Sequence, residues 1–142
     1  FQTREEIDLK AVIAKIISDF SEMLIHKNQQ VKFEAKDRIF KNTNLDLIYI
    51  LFSNLIKNTI SHGQSGSEIS MKLTEKNFVI SNYSTRESLQ NEAIFERFQK
   101  MGDNANSTGL GLSIAKSIAE KFGFTLEYHF QNGQHYFRVE FN

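Results

Sequence analysis

The sequence contains no cysteine, no proline and no tryptophan among its 142 residues. Without cysteine the chain has no disulfide framework, no thiolate metal site and no thiol nucleophile, a composition compatible with a reducing cytosol. Its 17 basic residues are balanced by 17 acidic residues, which removes the electrostatic signature of a general nucleic-acid or anionic-membrane binder. We therefore expect no nucleic-acid partner and no direct membrane contact, and any polyanion must be bound locally.

The sequence also lacks long apolar runs. None approaches the roughly 18 residues of a membrane span, and we find no signal peptide before the fold. A chain of 142 residues with 40% hydrophobic content can bury a core of its own, so we expect residues 1–142 to form a single domain. The chain opens with Phe1 and not with Met, which suggests a fragment of a longer protein. We expect the fragment to be cytoplasmic, while its parent could be membrane-anchored.

Apolar residues at helical spacing predict three helices. Thr3-x-x-Glu6 is read as a capping box that precedes a first amphipathic helix, which continues to about Leu24. The second helix is predicted from about Leu45 to His62 and the third from Thr108 to Phe122, with the following glycine as the cap of its C-terminus.

Alternating apolar residues predict about five strands, and residues 41–44 read as a polar break between elements. The pattern favours an α+β fold, a two-layer sandwich in which three helices cover one face of a mixed sheet. The predicted strands are Val31–Ala35, Ile69–Leu73, Phe78–Ser81, Phe124–Phe130 and His135–Phe141.

Two polar patterns interrupt the apolar ones. Asn54, Asn58 and His62 recur at four-residue spacing on one face of the second helix, either as solvated surface or as a ligand-facing stripe. Gly109 and Gly111 open the third helix, where backbone N–H groups and the helix dipole attract an anion, unless they form only a flexible entry to a core helix. Between them, residues 84–107 are mostly polar, which is typical of a functional lid or a disordered segment.

These motifs resemble, in their order, those of the catalytic ATP-binding domain of sensor histidine kinases. The asparagine helix resembles the family's N box, Phe95-Glu-Arg-Phe98 its F box and Gly109-Leu-Gly-Leu112 its second glycine box. The resemblance implies a Bergerat-type ATP-binding fold, shared with gyrase, Hsp90 and mismatch-repair ATPases. It also implies a Mg-ATP site between the second and third helices, under a lid.

The resemblance assigns roles to individual residues. Asn58 becomes the Mg²⁺ ligand, while Asn54 and His62 lie along the phosphates and ribose. Lys100, with Arg97 as a second candidate, becomes the catalytic cation that balances charge on the γ-phosphate, although either side chain could be simply solvated. The glycine box would bind nucleotide through Thr108, Gly109, Leu110, Gly111 and Leu112.

The sequence departs from the family pattern at two positions. Asn82 stands where the family carries an Asp followed by glycines, and Ser61 stands where a Lys is frequent. An Asn oxygen can still accept a hydrogen bond from the adenine amino group, so Asn82 is predicted to recognise the base. On this basis Asn82→Asp should tighten nucleotide binding or leave it unchanged, although Asn82 could instead merely end a strand in a turn.

The resemblance also implies partners that the sequence lacks. The family's phosphoacceptor His lies in a separate dimerisation domain of the same protein, and a response regulator acts downstream. No His of this chain has the phosphoacceptor context, so we expect half of an enzyme. Two alternatives stay open: a degenerate domain that serves as an interaction module, and a serine kinase of the anti-sigma-factor type, which Phe95 and Phe98 disfavour.

Overall fold

Two β-sheets and four helices make up the residues that the computed structural model describes, 3–83 and 108–142. The strands are β1 (Glu5–Asp8), β2 (Gln30–Ala35), β3 (Phe40–Thr43), β4 (Glu68–Leu73), β5 (Asn77–Tyr83), β6 (Thr125–Gln131) and β7 (Gln134–Glu140). The helices are α1 (Leu9–Asp19), α2 (Ser21–His26), α3 (Leu45–His62) and α4 (Thr108–Lys121).

The larger sheet has five strands in the order β2-β4-β5-β7-β6. β2 runs parallel to β4, and the other neighbouring strands are antiparallel. β1 and β3 form a separate antiparallel pair. The predicted mixed sheet of five strands is therefore confirmed, with a second small sheet that the prediction omitted.

Alternation along the strands places the core on one face of the large sheet. Ile69 and Met71 of β4 and Phe78 and Ile80 of β5 are fully buried, and they belong to the same core cluster as the apolar faces of α1, α3 and α4. Because successive side chains of a strand point to opposite faces, the other face carries polar residues such as Arg138. The predicted two-layer α+β sandwich is confirmed.

Short sequence signals mark the start of α3, the end of α4 and the turn between β6 and β7. α3 begins where predicted, with Asn44 Oδ1 accepting from the Leu47 N–H at 3.0 Å. Gly123 ends α4 in the left-handed region at φ 77°. Asn132 and Gly133, at φ 53° and 77°, form the tight turn between β6 and β7.

The prediction for the first helix was wrong at both ends. Glu6 lies in strand β1 opposite Asn42, so no capping box forms there. Instead Asp8 caps α1, since its Oδ1 accepts from the Ala11 N–H at 3.3 Å. The helix breaks at Phe20, and a separate short helix, α2, follows. Strand pairing, which depends on distant residues, prevailed over the local pattern.

The reading of residues 41–44 as a polar break was also wrong, because Phe40–Thr43 is strand β3. Its exposed Phe40 and buried Thr43 give no apolar alternation that a sequence pattern could detect. Across the described part of the chain, no helix is long and apolar enough to cross a membrane.

Candidate functional site

The asparagine stripe of α3 meets the first turn of α4. Asn54 Nδ2 donates a hydrogen bond to the Gly111 carbonyl oxygen at 3.1 Å. A Cβ atom placed on Gly111 would lie 3.5 Å from Asn54 Cγ, which is ordinary van der Waals contact. Asn54 therefore joins the two helices while some clearance remains between them.

Asn58, one turn further along α3, is buried with only 8% of its surface exposed. Its Nδ2 has no hydrogen-bond partner among residues 3–83 and 108–142. Leaving a buried amide unpaired costs about 1–3 kcal/mol, so such a group calls for a water, an ion or a ligand. The burial excludes the reading of Asn58 as solvated surface.

His62 is the last residue of α3 and is half-buried. The carbonyl oxygens on both sides of it, those of Ser61 and Gly63, accept hydrogen bonds from the Lys27 ammonium at 3.0 and 2.8 Å. Burial lowers the pKa of Lys27 below its ordinary value. The backbone around His62 is thus held by a cation that belongs to another part of the fold.

Asn82 lies on β5, next to the last residue of the strand, and is 3% exposed. Its Nδ2 donates to Ser67 Oγ and to the Glu68 carbonyl oxygen, both at 2.9 Å. A carbonyl can only accept, which fixes the amide with its nitrogen towards Glu68. Asn82 pairs with His135 across the sheet, so it lies within the strand and not in a turn. Its Oδ1 is buried with no hydrogen-bond partner in the described ranges.

Gly63 is the residue that lets Asn82 approach the end of α3. A Cβ atom at Gly63 would lie 2.1 Å from Asn82 Oδ1 and 2.8 Å from both the Gln29 Nε2 and the Thr59 carbonyl oxygen. Its φ of −73° is open to any residue, so close contact, and not backbone conformation, requires glycine here.

The glycine segment forms the first turns of α4. Thr108 and Gly109 belong to the first turn of α4, and Leu110 follows them with 42% of its surface exposed. The Leu112 side chain is fully buried in the core, so a contribution of Leu112 to binding has to come from its backbone. The N–H groups of a first helical turn lack intrahelical partners and can bind an anion.

The two cationic side chains predicted for the lid are not among the described residues. Arg97, Lys100 and the lid at 84–107 lie outside the described residues. Within the ranges 3–83 and 108–142, no cluster of three or more His, Cys, Asp or Glu side chains could hold a metal ion. A hard cation such as Mg²⁺ would therefore rely on an amide oxygen such as Asn58 Oδ1, on water and on ligand phosphates, whereas the unpartnered Asn58 Nδ2 could only donate to an acceptor.

Sequence reasoning missed three members of the site, Lys27, Gln29 and Gly63. Gln29 is 6% exposed, and its Nε2 donates weakly to the Gln64 carbonyl oxygen at 3.4 Å. Lys27 and Gln29 lie more than 30 positions before the loop that they contact, so no local pattern indicates them. The sequence does show a glycine directly after the predicted second helix, at position 63. It does not show that this glycine contacts Asn82.

Comparisons with known proteins match the chain to a family and to relatives of known name. The model of the family described as histidine kinase-, DNA gyrase B- and HSP90-like ATPase matches residues 43–142. The heme sensor protein HssS of Staphylococcus saprophyticus is 32% identical over 121 residues, which are 82% of this chain and 26% of the relative. The chain thus spans about a quarter of that curated relative's length.

Solved structures show the same fold at low sequence identity. The cytoplasmic segment of histidine kinase QseC matches with a TM-score of 0.78 and 19% identity, over 100% of this chain and 80% of that chain. Full-length ShkA in complex with AMPPNP matches with a TM-score of 0.80 and 13% identity, over 99% of this chain and 31% of that chain. These matches confirm the histidine kinase ATPase-domain fold implied by the resemblance.

Proposed function

Because the chain belongs to the family of histidine kinase-, DNA gyrase B- and HSP90-like ATPases, we propose that it is the ATP-binding catalytic domain of a two-component sensor histidine kinase. In this proposal it binds Mg-ATP between α3 and α4 and donates the γ-phosphoryl group to a His on a separate dimerisation domain of the same protein. A response regulator acts downstream, and the domain works in the cytoplasm.

The observation that carries the proposal is the buried, unpartnered amide of Asn58, one helical turn from Asn54, whose side chain contacts the first turn of α4. Asn58 Oδ1 would hold Mg²⁺, and its Nδ2 would donate to a phosphate oxygen or a metal-bound water. When bound, Mg²⁺ supplies positive charge that offsets the charge on the phosphates. The backbone N–H groups of residues 108–112 would bind phosphate from the other side.

Asn82 and His62 would contact the remainder of the nucleotide. The two donor hydrogens of Asn82 are already used by Ser67 and Glu68, so only its oxygen is left to accept from the adenine amino group. Guanine carries a carbonyl at that position, which offers a second acceptor and no donor. His62 and Asn54 would lie along the ribose and phosphates, with Asn54 held by its bond to Gly111.

Transfer itself would depend on the lid cations. Lys100, assisted by Arg97, would balance charge on the γ-phosphoryl group as its P–O bond to ADP breaks and an N–P bond to the acceptor His forms. A lysine is a point charge, so its contact with phosphate is less directional than that of an arginine. Chemistry thus requires the lid together with the separate acceptor domain.

Titration calorimetry with Mg-ATP and Mg-ADP tests binding. We expect dissociation constants in roughly the micromolar to millimolar range, because the contact of Asn82 with the base is neutral. Absence of heat and of resonance shifts at millimolar nucleotide would refute the proposal. That result would favour the alternative of a degenerate domain that acts as an interaction module.

Labelled ATP tests the reaction. The chain alone should acquire no acid-labile phosphate, whereas addition of its parent's acceptor domain should yield phosphohistidine on that domain. Lys100→Ala should slow this transfer more than it weakens ADP binding, because ADP has no γ-phosphate. Acid-stable label on a partner's serine would instead support the anti-sigma-type kinase, and equal losses in Lys100→Ala would refute the role of the lysine.

A further inference from the structure

The C-terminus of α3 is closed by a side chain from a distant part of the chain. Lys27 directly follows α2, and its Nζ donates to the carbonyl oxygens of Ile60 at 2.7 Å, Ser61 at 3.0 Å and Gly63 at 2.8 Å. An ammonium group has three N–H donors, so all three are used. This cation is the cap of α3.

This helix end needs an external donor because its glycine does not form the usual left-handed cap. Gly63 is extended, with φ −73° and ψ 156°, and its N–H donates to the Thr59 carbonyl oxygen at 2.9 Å. The later carbonyls of a helix have no intrahelical partner. A left-handed glycine would normally satisfy some of them, and here the Lys27 ammonium does so.

The segment around Lys27 also holds the loop that follows α3. The Lys27 carbonyl oxygen accepts from the Gly66 N–H at 3.0 Å, and Gln29 Nε2 donates to the Gln64 carbonyl oxygen at 3.4 Å. Lys27 therefore contacts both the end of the helix and the loop, once through its side chain and once through its main chain.

The helix end and the loop that Lys27 holds both contact the Asn82 side chain. Ser67 and Glu68, at the end of the loop, accept both hydrogen bonds from the Asn82 amide. Gly63 lies so close to Asn82 Oδ1 that a Cβ atom could not fit between them. A displacement of Gly63 therefore changes the surroundings of Asn82 and moves the adjacent His62.

We propose that Lys27 is a positioning residue for the nucleotide site, which acts by capping α3 and thereby fixes Gly63 against Asn82. The role rests on the proposed function, since it concerns the site that the nucleotide would occupy. Lys27 would not contact the nucleotide itself, because its three N–H donors already bond to backbone carbonyl oxygens.

Three variants test the cap. Lys27→Met keeps the apolar stem and removes the ammonium, whereas Lys27→Arg keeps a cation with several donors. Lys32→Met on β2 is the matched control, because the Lys32 side chain is 61% exposed and pairs with Glu34. Thermal unfolding of each variant first establishes a temperature at which all are folded.

Amide hydrogen exchange without nucleotide measures the cap directly. In Lys27→Met the amides of Gly63 and Gln64 should exchange about tenfold faster, while those of β7, which is paired on both sides by β5 and β6, keep the parental rate. Lys27→Arg and Lys32→Met should resemble the parent at both places. Uniform acceleration across the chain, or none at Gly63, would overturn the cap.

Calorimetry with Mg-ADP on the same samples measures positioning. Lys27→Met should bind about three- to tenfold more weakly, with partial rescue in Lys27→Arg and no change in Lys32→Met. Faster exchange at Gly63 with unchanged ADP affinity would overturn the positioning role alone. A parent that binds no nucleotide would overturn the proposed function and this role together, and the exchange result would still show whether the cap exists.

Discussion

The two ends of the site differ in how tightly they are packed, although each holds a buried polar atom without a described partner, Asn82 Oδ1 at one end and Asn58 Nδ2 at the other. At the Gly63 end, Asn82 donates both amide hydrogens and a glycine is required by contacts as short as 2.1 Å. At the Gly111 end, Asn54 donates a hydrogen bond to the Gly111 carbonyl oxygen, a Cβ atom on Gly111 would fit at 3.5 Å from Asn54 Cγ, and Asn58 Nδ2 has no described partner. The Gly63 end is thus closely packed around Asn82, whereas the Gly111 end leaves room beside Asn54.

Gly63→Ala should have the largest effect, because it damages the fold and the site together. The new methyl group would meet Asn82 Oδ1 and the immobile Thr59 carbonyl oxygen. Overpacking of this kind typically costs about 1–3 kcal/mol of unfolding free energy. We expect that loss in chemical denaturation, accompanied by at least a tenfold loss of Mg-ADP affinity in calorimetry.

Gly111→Ala is the matched control at the other end. Its methyl group meets only ordinary contact with Asn54, and alanine is favoured over glycine in a helix by about 1 kcal/mol. Stability should therefore hold or rise, while phosphate binding falls if the backbone must approach the ligand closely. Equal destabilisation by the two variants would remove the contrast between the ends.

Asn58→Ala should separate binding from stability. The variant removes an amide that has no described partner, so the unfolding free energy should change by less than about 1 kcal/mol. Magnesium-dependent nucleotide binding should disappear at millimolar nucleotide, as calorimetry with and without Mg²⁺ would show. If Asn58→Ala binds Mg-ADP like the parent, the magnesium assignment is wrong.

Asn82→Asp, for which the sequence predicted tighter or unchanged nucleotide binding, should in addition destabilise the fold. A carboxylate oxygen would face the Glu68 carbonyl oxygen, where the amide now donates at 2.9 Å. The unfolding free energy should fall by about 1–3 kcal/mol at neutral pH. The loss should shrink in acid, where a protonated Asp can donate.

The control for Asn82→Asp is Asn132→Asp, in the exposed turn between β6 and β7. It should leave stability nearly unchanged, because Asp tolerates the left-handed region almost as well as Asn. Tighter nucleotide binding by Asn82→Asp at undiminished stability would contradict the hydrogen-bond assignment.

Tyr49→Phe should have the smallest effect, since Tyr49 lies away from both ends. Its hydroxyl donates to Asp19 Oδ2 at 2.5 Å, and this bond lowers the pKa of Asp19 below its ordinary 3.8 while raising that of Tyr49. A lowered carboxyl pKa stabilises the folded state above the ordinary value, and the benefit is lost as the pH falls through the lowered one.

The measurement for Tyr49→Phe is the melting temperature between pH 7 and pH 2. A small deficit relative to the parent at neutral pH should vanish in strong acid, and Mg-ADP affinity should match the parent throughout. A deficit that grows on acidification would reverse the assigned direction.

Periodicity predicted most of the fold, because α3, α4 and the two hairpins are specified by residues close in sequence. The pairing of β1 with β3 escaped prediction, since Glu6 and Asn42 meet only after folding. The residues of the candidate site also fall into those that local spacing predicts and those that only long-range contacts bring in. Spacing indicated Asn54 and Asn58, whereas the cap by Lys27 depends on a contact across 33 positions of the chain.

The contact between Gly63 and Asn82 also constrains how these positions can diverge among relatives. A side chain at position 63 is compatible only with a shorter or redirected side chain at position 82. Substitutions at the two positions should therefore appear together in an alignment, with intermediates that carry only the change at 63 depleted. Independent variation at the two positions would show that neighbouring backbone relaxes more readily than this packing indicates.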